Sequence, residues 1–215
     1  MAEVQKISTD WSLYVIIDHE WLKGRPVHEV AEKVIAGGAT VIQYRNKVSG
    51  TDQIMEEAEV LRLVTRTHHI PFIINDRLDI ALAVEADGVH LGQGDLDSQL
   101  AKKALNPDML LGISVENLGQ LEWSEGADYF GVGAVFSTDT KTVDSIGGLA
   151  MVKEIRQHTS LPLIGIGGIN SGNAASVIEA GCDGVAVISA ILGANDIVRA
   201  TRELAQIVHT AIEKT

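Results

Sequence analysis

Glu85-Ala86-Asp87-Gly88-Val89, Gly126-Ala127-Asp128-Tyr129 and Gly181-Cys182-Asp183-Gly184-Val185 repeat one phrase. In each, a helical pattern stops, a small residue and an aspartate follow, and an apolar strand-like run begins. Glycine suits such a stop because it adopts the left-handed conformation that ends a helix. Gly37-Gly38 falls at another helix-to-strand turn of this kind. A small residue and an aspartate just ahead of a strand mark the bottom, structural end of a parallel barrel. Asp87, Asp128 and Asp183 are therefore read as structural and not catalytic.

The rest of the chain keeps this rhythm. Strand-like runs lie near 12–17, 39–45, 71–75, 88–91, 110–114, 128–133, 162–166 and 184–188. Helical patterns lie near 27–37, 52–68, 77–85, 97–105, 117–125, 148–158, 171–180 and 195–213. Eight β/α units in a chain of 215 residues predict an α/β protein, a closed (β/α)8 TIM barrel. An open doubly wound sheet would need fewer units. No linker, low-complexity segment or shift in composition divides the chain, so residues 1–215 are expected to form a single barrel domain.

Composition excludes several classes of function. A formal charge of −12 argues against a broad nucleic-acid surface, so any anion site must be local. The longest nearly apolar stretch, 184–194, is too short to span a membrane, and the polar first residues do not read as a signal peptide. The single cysteine, Cys182, excludes an internal disulfide and suits a reducing compartment. A cytoplasmic location is expected. Lacking an electropositive neighbour, Cys182 reads as a buried thiol and not a nucleophile. Neither a nucleic acid nor a membrane is expected as a partner, and the oligomeric state is left open.

The chemistry gathers at strand ends. The run Phe72-Ile73-Ile74 stops at Asn75-Asp76-Arg77, and Val89-His90-Leu91 stops at Gly92-Gln93-Gly94-Asp95. On consecutive parallel strands, Asp76 and Asp95 would emerge at one rim and could share a cation. Magnesium suits such a pair, because it takes few carboxylates and fills its shell with phosphate oxygens and water. Capping of the following helices is the competing reading. In Val41-Ile42-Gln43-Tyr44-Arg45-Asn46-Lys47, strand alternation sets Gln43, Arg45 and Lys47 on one face. Helices cover the outside of a barrel strand, so that face must look inward at the open end. Arginine grips phosphate bidentately and lysine adds a mobile positive charge.

Two further segments fit the same mouth. Phe136-Ser137-Thr138-Asp139-Thr140-Lys141-Thr142 is a hydroxyl-rich loop after strand six, a lid or phosphate clamp in which Lys141 is the foremost candidate. Gly167-Gly168 ends strand seven, and Ile188-Ser189 ends strand eight. In many barrels the loops after these two strands bind a phosphate through backbone N–H groups. His90 reads as a core or supporting group. Dinucleotide and Walker fingerprints are absent from the sequence.

These residues resemble the thiamine-phosphate synthase family over nearly the whole chain. The resemblance rests on Leu13–Asp18, Gln43–Lys47, Ile73–Arg77, Gly88–Gln93 with Asp95, Gly112–Val115, Gly131–Phe136, Thr138–Lys141 and Ile166–Ile169. It implies condensation of hydroxymethylpyrimidine diphosphate with a thiazole phosphate, giving thiamine monophosphate and pyrophosphate. It further implies that Gln43, Arg45, Lys47, Asn75 and Lys141 hold the diphosphate substrate and that Asp76 and Asp95 bind Mg2+. Ser114 would contact the pyrimidine, Thr138 and Thr140 would lie near the thiazole side chain, and Gly167, Ile188 and Ser189 would take the thiazole phosphate. Arg45, Ser114 and Lys141 would be the catalytic residues. The implied chemistry is dissociative and uses no nucleophilic side chain.

Two positions depart from the family pattern. Asn46 stands where an acidic residue is common, and Ala134 where proline is common. Thiazole tautomerases of the same superfamily resemble this chain too, but use a histidine near the position of Ala134. A tautomerase and a non-catalytic phosphate-binding barrel are the alternatives to a synthase.

Overall fold

The computed structural model describes residues 9–122, 124–137 and 147–215. Its strands are β1 (Leu13–Asp18), β2 (Val41–Arg45), β3 (Phe72–Asn75), β4 (Gly88–Leu91), β5 (Leu110–Val115), β6 (Tyr129–Val132), β7 (Leu163–Ile166) and β8 (Gly184–Val187). They run parallel in sequence order, and β8 pairs with β1 to close the barrel. The helices are α1 (His19–Leu22), α2 (Val27–Gly37), α3 (Thr51–Thr67), α4 (Leu78–Ala83), α5 (Ser98–Ala104), α6 (Leu118–Glu122), α7 (Gly148–Arg156), α8 (Ala174–Glu179), α9 (Ser189–Leu192) and α10 (Ile197–Ile212). The expected α/β barrel is the fold observed. Only α1 and α9 were not expected, being four residues each and too short to show a helical period.

Alternation along the strands divides the apolar residues into two cores. Leu13, Val15 and Ile17 of β1 point outward, into a layer completed by Val30 and Val34 of α2, Leu61 of α3 and Val208 of α10. Each such fully buried aliphatic side chain contributes roughly 1.5–3 kcal/mol. Tyr14, Ile16, Val41, Ile73, Leu110, Tyr129, Ile164 and Ala186 point inward and plug the barrel, with Trp11 packed against them. Gly37 permits α2 to approach α10, since a Cβ there would lie 2.9 Å from the carbonyl of Val198.

The recurring aspartates staple the lower rim. Asp87 accepts from the N–H of Phe72 at 2.8 Å, Asp128 from that of Leu111 at 2.9 Å, and Asp183 from that of Leu163 at 2.8 Å. In return, the N–H of each aspartate donates to the carbonyl of the same strand residue. A base on the helix before the stapled strand neutralises each one: Arg62 of α3 with Asp87 at 2.7 Å, Lys102 of α5 with Asp128 at 2.8 Å and Arg156 of α7 with Asp183 at 3.1 Å. Thr40 takes this place in the remaining quarter, its hydroxyl accepting from Leu13 N–H at 3.0 Å. The staples lie before the strands, opposite the end where Asp76 and Asp95 emerge.

Candidate active site

The strand carboxyl ends open into a cavity of about 510 Å³. Gln43, Arg45, Lys47, Asn75, Asp76, Asp95, Ser114, Gly167, Ile188 and Ser189 all line it. Thr138, Thr140 and Lys141 lie outside the described residues.

The basic wall is anchored from below. Arg45 ends β2 and forms an ion pair through Nη1 with Asp18 at the end of β1. Asp18 is 2% exposed and also accepts from Glu20 N–H at 3.0 Å, capping α1. A carboxylate so buried is stable only with a cation beside it, so the pair fixes the guanidinium in the cavity wall. Beyond it Lys47 places Nζ 2.8 Å from Oδ2 of Asp76.

Neither candidate metal ligand caps a helix. Asp76 adopts φ +60° directly after β3, and Arg77 is the residue that precedes α4. A non-glycine residue held in the left-handed region costs of order 1–3 kcal/mol and persists where surrounding structure enforces it. Asp95 accepts from Gly92 N–H at 2.7 Å, while Asp97 caps α5. Burial raises the Asp95 carboxyl above its ordinary range, and the neighbouring Asp76 carboxylate raises it further, against the pull of Gly92 N–H and Lys47. Two crowded carboxylates whose repulsion a cation would relieve fit a hard divalent metal. Among the described residues no cluster of three or more His, Cys, Asp or Glu could hold one, so phosphate and water would complete the shell.

A chain of polar side chains crosses the barrel beneath the cavity. Gln43 Nε2 lies 2.9 Å from Tyr14 Oη, which lies 2.9 Å from Tyr129 Oη. His90 joins them to β5, with Nδ1 3.1 Å from Tyr129 Oη and Nε2 2.9 Å from Ser114 Oγ. Burial raises the Tyr14 and Tyr129 phenols well above their ordinary value, so both stay neutral. Trp11 packs against Tyr129 with centroids 4.4 Å apart and the rings tilted by 35°. His90 is thus the supporting group expected. The roles of Tyr14, Tyr129 and Asp18 were not anticipated, although the alternation that found Gln43 and Arg45 applies equally to β1.

The far wall is mostly backbone. Gly167 and Gly168 take φ +98° and +65°, and a Cβ on Gly167 would come within 2.7 Å of Ala134 Cβ. The segment after β6 lies directly against this turn, with Val135 N–H on Ile166 O at 2.9 Å and Phe136 N–H on Gly167 O at 3.0 Å. The glycine pair is thus required by loop packing as well as open to a ligand. Asn46 turns away from the cavity. Its Nδ2 donates to Tyr44 Oη at 3.0 Å, and its Oδ1 accepts from Val48 and Ser49 N–H. An ionised acidic residue there could not donate to Tyr44, whose hydroxyl is spent on Glu57.

The family model described as thiamine monophosphate synthase matches residues 13–191. The chain belongs to the thiamine monophosphate synthase family. The thiamine-phosphate synthase of Chloroflexus aurantiacus is 48% identical, covering 95% of this chain and 96% of that one. The thiamine-phosphate synthase of Moorella thermoacetica is 47% identical, covering 94% and 97%. Among solved structures, thiamine phosphate pyrophosphorylase from Pyrococcus furiosus superposes with a TM-score of 0.85 at 41% identity, over 95% of this chain and 98% of that one. A thiamine monophosphate synthase is a transferase, and a cavity that opens between a cationic wall and a backbone-rich wall suits group transfer between two bound molecules. Among the described residues no helix is long and apolar enough to cross a membrane.

Proposed function

We propose that this chain condenses hydroxymethylpyrimidine diphosphate with hydroxyethylthiazole phosphate to thiamine monophosphate and pyrophosphate, or with its carboxylated form to the same products with loss of carbon dioxide. The observation that carries this reading is one cavity with two unlike poles. Arg45, Lys47, Asn75, Asp76 and Asp95 form one pole, and Gly167, Ile188 and Ser189 the other. The first suits a diphosphate with its metal, and the second a monoester met by backbone N–H groups and a hydroxyl.

In the proposed reaction the bond between the pyrimidine methylene carbon and the bridging oxygen breaks. Its electron pair leaves with pyrophosphate, and the thiazole nitrogen lone pair closes the new C–N bond. Magnesium held by Asp76 and Asp95 would neutralise charge on the leaving group. Arg45, fixed by Asp18, and Lys47 face the oxygens where that charge grows, which is where fixed cations lower a barrier most. Gln43 and Ser114 orient the pyrimidine over the apolar plug, which keeps water from the cationic carbon. Lys141 is assigned to the diphosphate, and Thr138 and Thr140 to the thiazole side chain. No side chain need act as a nucleophile. A tautomerase would need an acid–base group where Ala134 stands, and alanine supplies none.

The test is a two-substrate assay with the purified protein and Mg2+. Pyrophosphate and thiamine monophosphate should appear in equal amounts, and only when both substrates are present. Release of pyrophosphate without the thiazole substrate, or no release at all, would overturn the reading.

A further inference from the structure

The hydrogen bonds from Gln43 through Tyr14, Tyr129 and His90 to Ser114 have a direction. Gln43 presents Nε2 to Tyr14, and an amide nitrogen can only donate. The Tyr14 side chain is 1% exposed, and among the described residues its hydroxyl meets only Gln43 and Tyr129. A buried hydroxyl proton without an acceptor is costly, so Tyr14 must donate to Tyr129. Tyr129, equally buried, must then pass its own proton to Nδ1 of His90. With Nδ1 accepting, the neutral ring carries its proton on Nε2, which donates to Ser114 Oγ. The Ser114 hydroxyl proton is left to point into the cavity, and so is the carbonyl oxygen of Gln43.

The barrel makes room for this chain at some cost. A Cβ on Gly112 would lie 2.5 Å from His90 Nδ1 and would run into the Tyr129 ring. A Cβ on Gly131 would lie 2.9 Å from His90 Cε1. Both glycines interrupt strands, where glycine packs poorly and weakens the sheet. An apolar plug would need no such concession.

We propose that Tyr14, Tyr129 and His90 are positioning residues that lock Gln43 as a hydrogen-bond acceptor and Ser114 as a donor, and so make the cavity specific for a heteroaromatic ring bearing an amino group beside a ring nitrogen. The amino group donates to Gln43 Oε1, and the ring nitrogen accepts from Ser114 Oγ–H. An oxo ring with a protonated nitrogen offers the reverse pattern and meets acceptor with acceptor and donor with donor. The two ends cannot be reversed singly: turning the Gln43 amide over would require every proton in the chain to turn with it. The ring specificity rests on the proposed synthase reading; the direction of the chain does not.

Two measurements test it. In the ligand-free protein, nitrogen NMR of His90, identified by its loss in His90→Gln, should show a protonated Nε2 and a bare Nδ1. Tyr129→Phe should remove that preference while leaving the packing volume nearly unchanged. A protonated Nδ1 in the native protein would overturn the proposal without touching the synthase reading. In calorimetry, the native protein should prefer hydroxymethylpyrimidine over its oxo counterpart, and in Tyr129→Phe the ratio of affinities should fall at least about tenfold. A merely structural role would weaken both ligands alike, and an unchanged ratio would overturn the proposal. Failure of both pyrimidines to bind the native protein, with the His90 tautomer as stated, would overturn the ring specificity together with the synthase reading.

Discussion

Lys47 Nζ sits 2.8 Å from Oδ2 of Asp76, on the carboxylate that would hold the metal. In the free protein the lysine is thus a competitor for the cation, and with diphosphate bound it becomes a partner of the anion. Lys47→Ala should therefore move two affinities in opposite directions. Mg2+ alone should bind a few-fold more tightly, because one unit charge is removed near the site, and with the Lys47 side chain 47% exposed that effect is screened. Magnesium pyrophosphate should bind roughly tenfold more weakly, from one lost charge-assisted contact. Calorimetry with each ligand decides it, and a parallel change in both would remove Lys47 from the anion site.

Asp95 gives the metal site a pH dependence of known sign. Burial and the charge of Asp76 raise its folded-state carboxyl above the unfolded value. Between those two values the folded protein holds more protons than the unfolded chain, so metal-free stability falls as pH rises through that window. A metal must displace the same proton. Mg2+ affinity should weaken as the pH is lowered into the range where the Asp95 carboxyl takes up its proton, and binding there should release protons to the buffer. Calorimetry in buffers of different ionisation enthalpy measures both, and an affinity indifferent to pH would show that Asp95 is not a ligand. Asp76→Asn should lower the Asp95 value, since it removes a neighbouring charge.

Cys182 offers a check on burial away from the site. Burial, reinforced by Asp183, pushes its thiol up to about 12. At pH 8 the thiolate fraction is then about 10⁻⁴, and alkylation of the native protein should be correspondingly slow. The unfolded chain ionises near the ordinary value of 9.0, so stability should fall as pH rises from there towards about 12. Iodoacetamide labelling with and without urea measures the contrast, and equal rates would show the thiol to be accessible.

The barrel was legible because its signals are local and repeated. Apolar runs of period two, helices of longer period and a recurring small-residue–aspartate turn all agree, and the strands fall within two residues of expectation. Gln43, Arg45 and Lys47 were found because three polar residues in strand register have nowhere to go but the cavity. Asp18, Tyr14 and Tyr129 escaped for the opposite reason. Tyr14 and Asp18 are separated by apolar residues on β1, Tyr129 stands alone on β6, and the meaning of each depends on partners far along the chain. Tyr14 meets Tyr129 across 115 residues. Asn46 was flagged only as a departure from pattern. Its use in a turn and against Tyr44 appears once the β2–α3 connection is in place.

The lower-rim staples should differ in strength despite their shared sequence phrase. The Asp87 side chain is 16% exposed, accepts from the N–H of the fully buried Phe72, and pairs with an Arg62 that is also 16% exposed. Arg62 Nε already lacks a partner among the described residues. Asp87→Ala would strand both the N–H and the guanidinium in a dry environment, at a cost of about 3 kcal/mol. The Asp183 side chain is 48% exposed, so its pair with Arg156 is solvent-screened, and Asp183→Ala, which also frees the N–H of Leu163, should cost less, about 1–2 kcal/mol. Asp87→Asn keeps an acceptor for Phe72 N–H and should recover part of the loss. All three changes lie at the end of the barrel opposite the cavity, so turnover of the folded protein should be unaltered. Urea unfolding of each variant makes the comparison. A loss for Asp183→Ala equal to or larger than that for Asp87→Ala would show that the staples act through rim geometry and not through the burial of their charges.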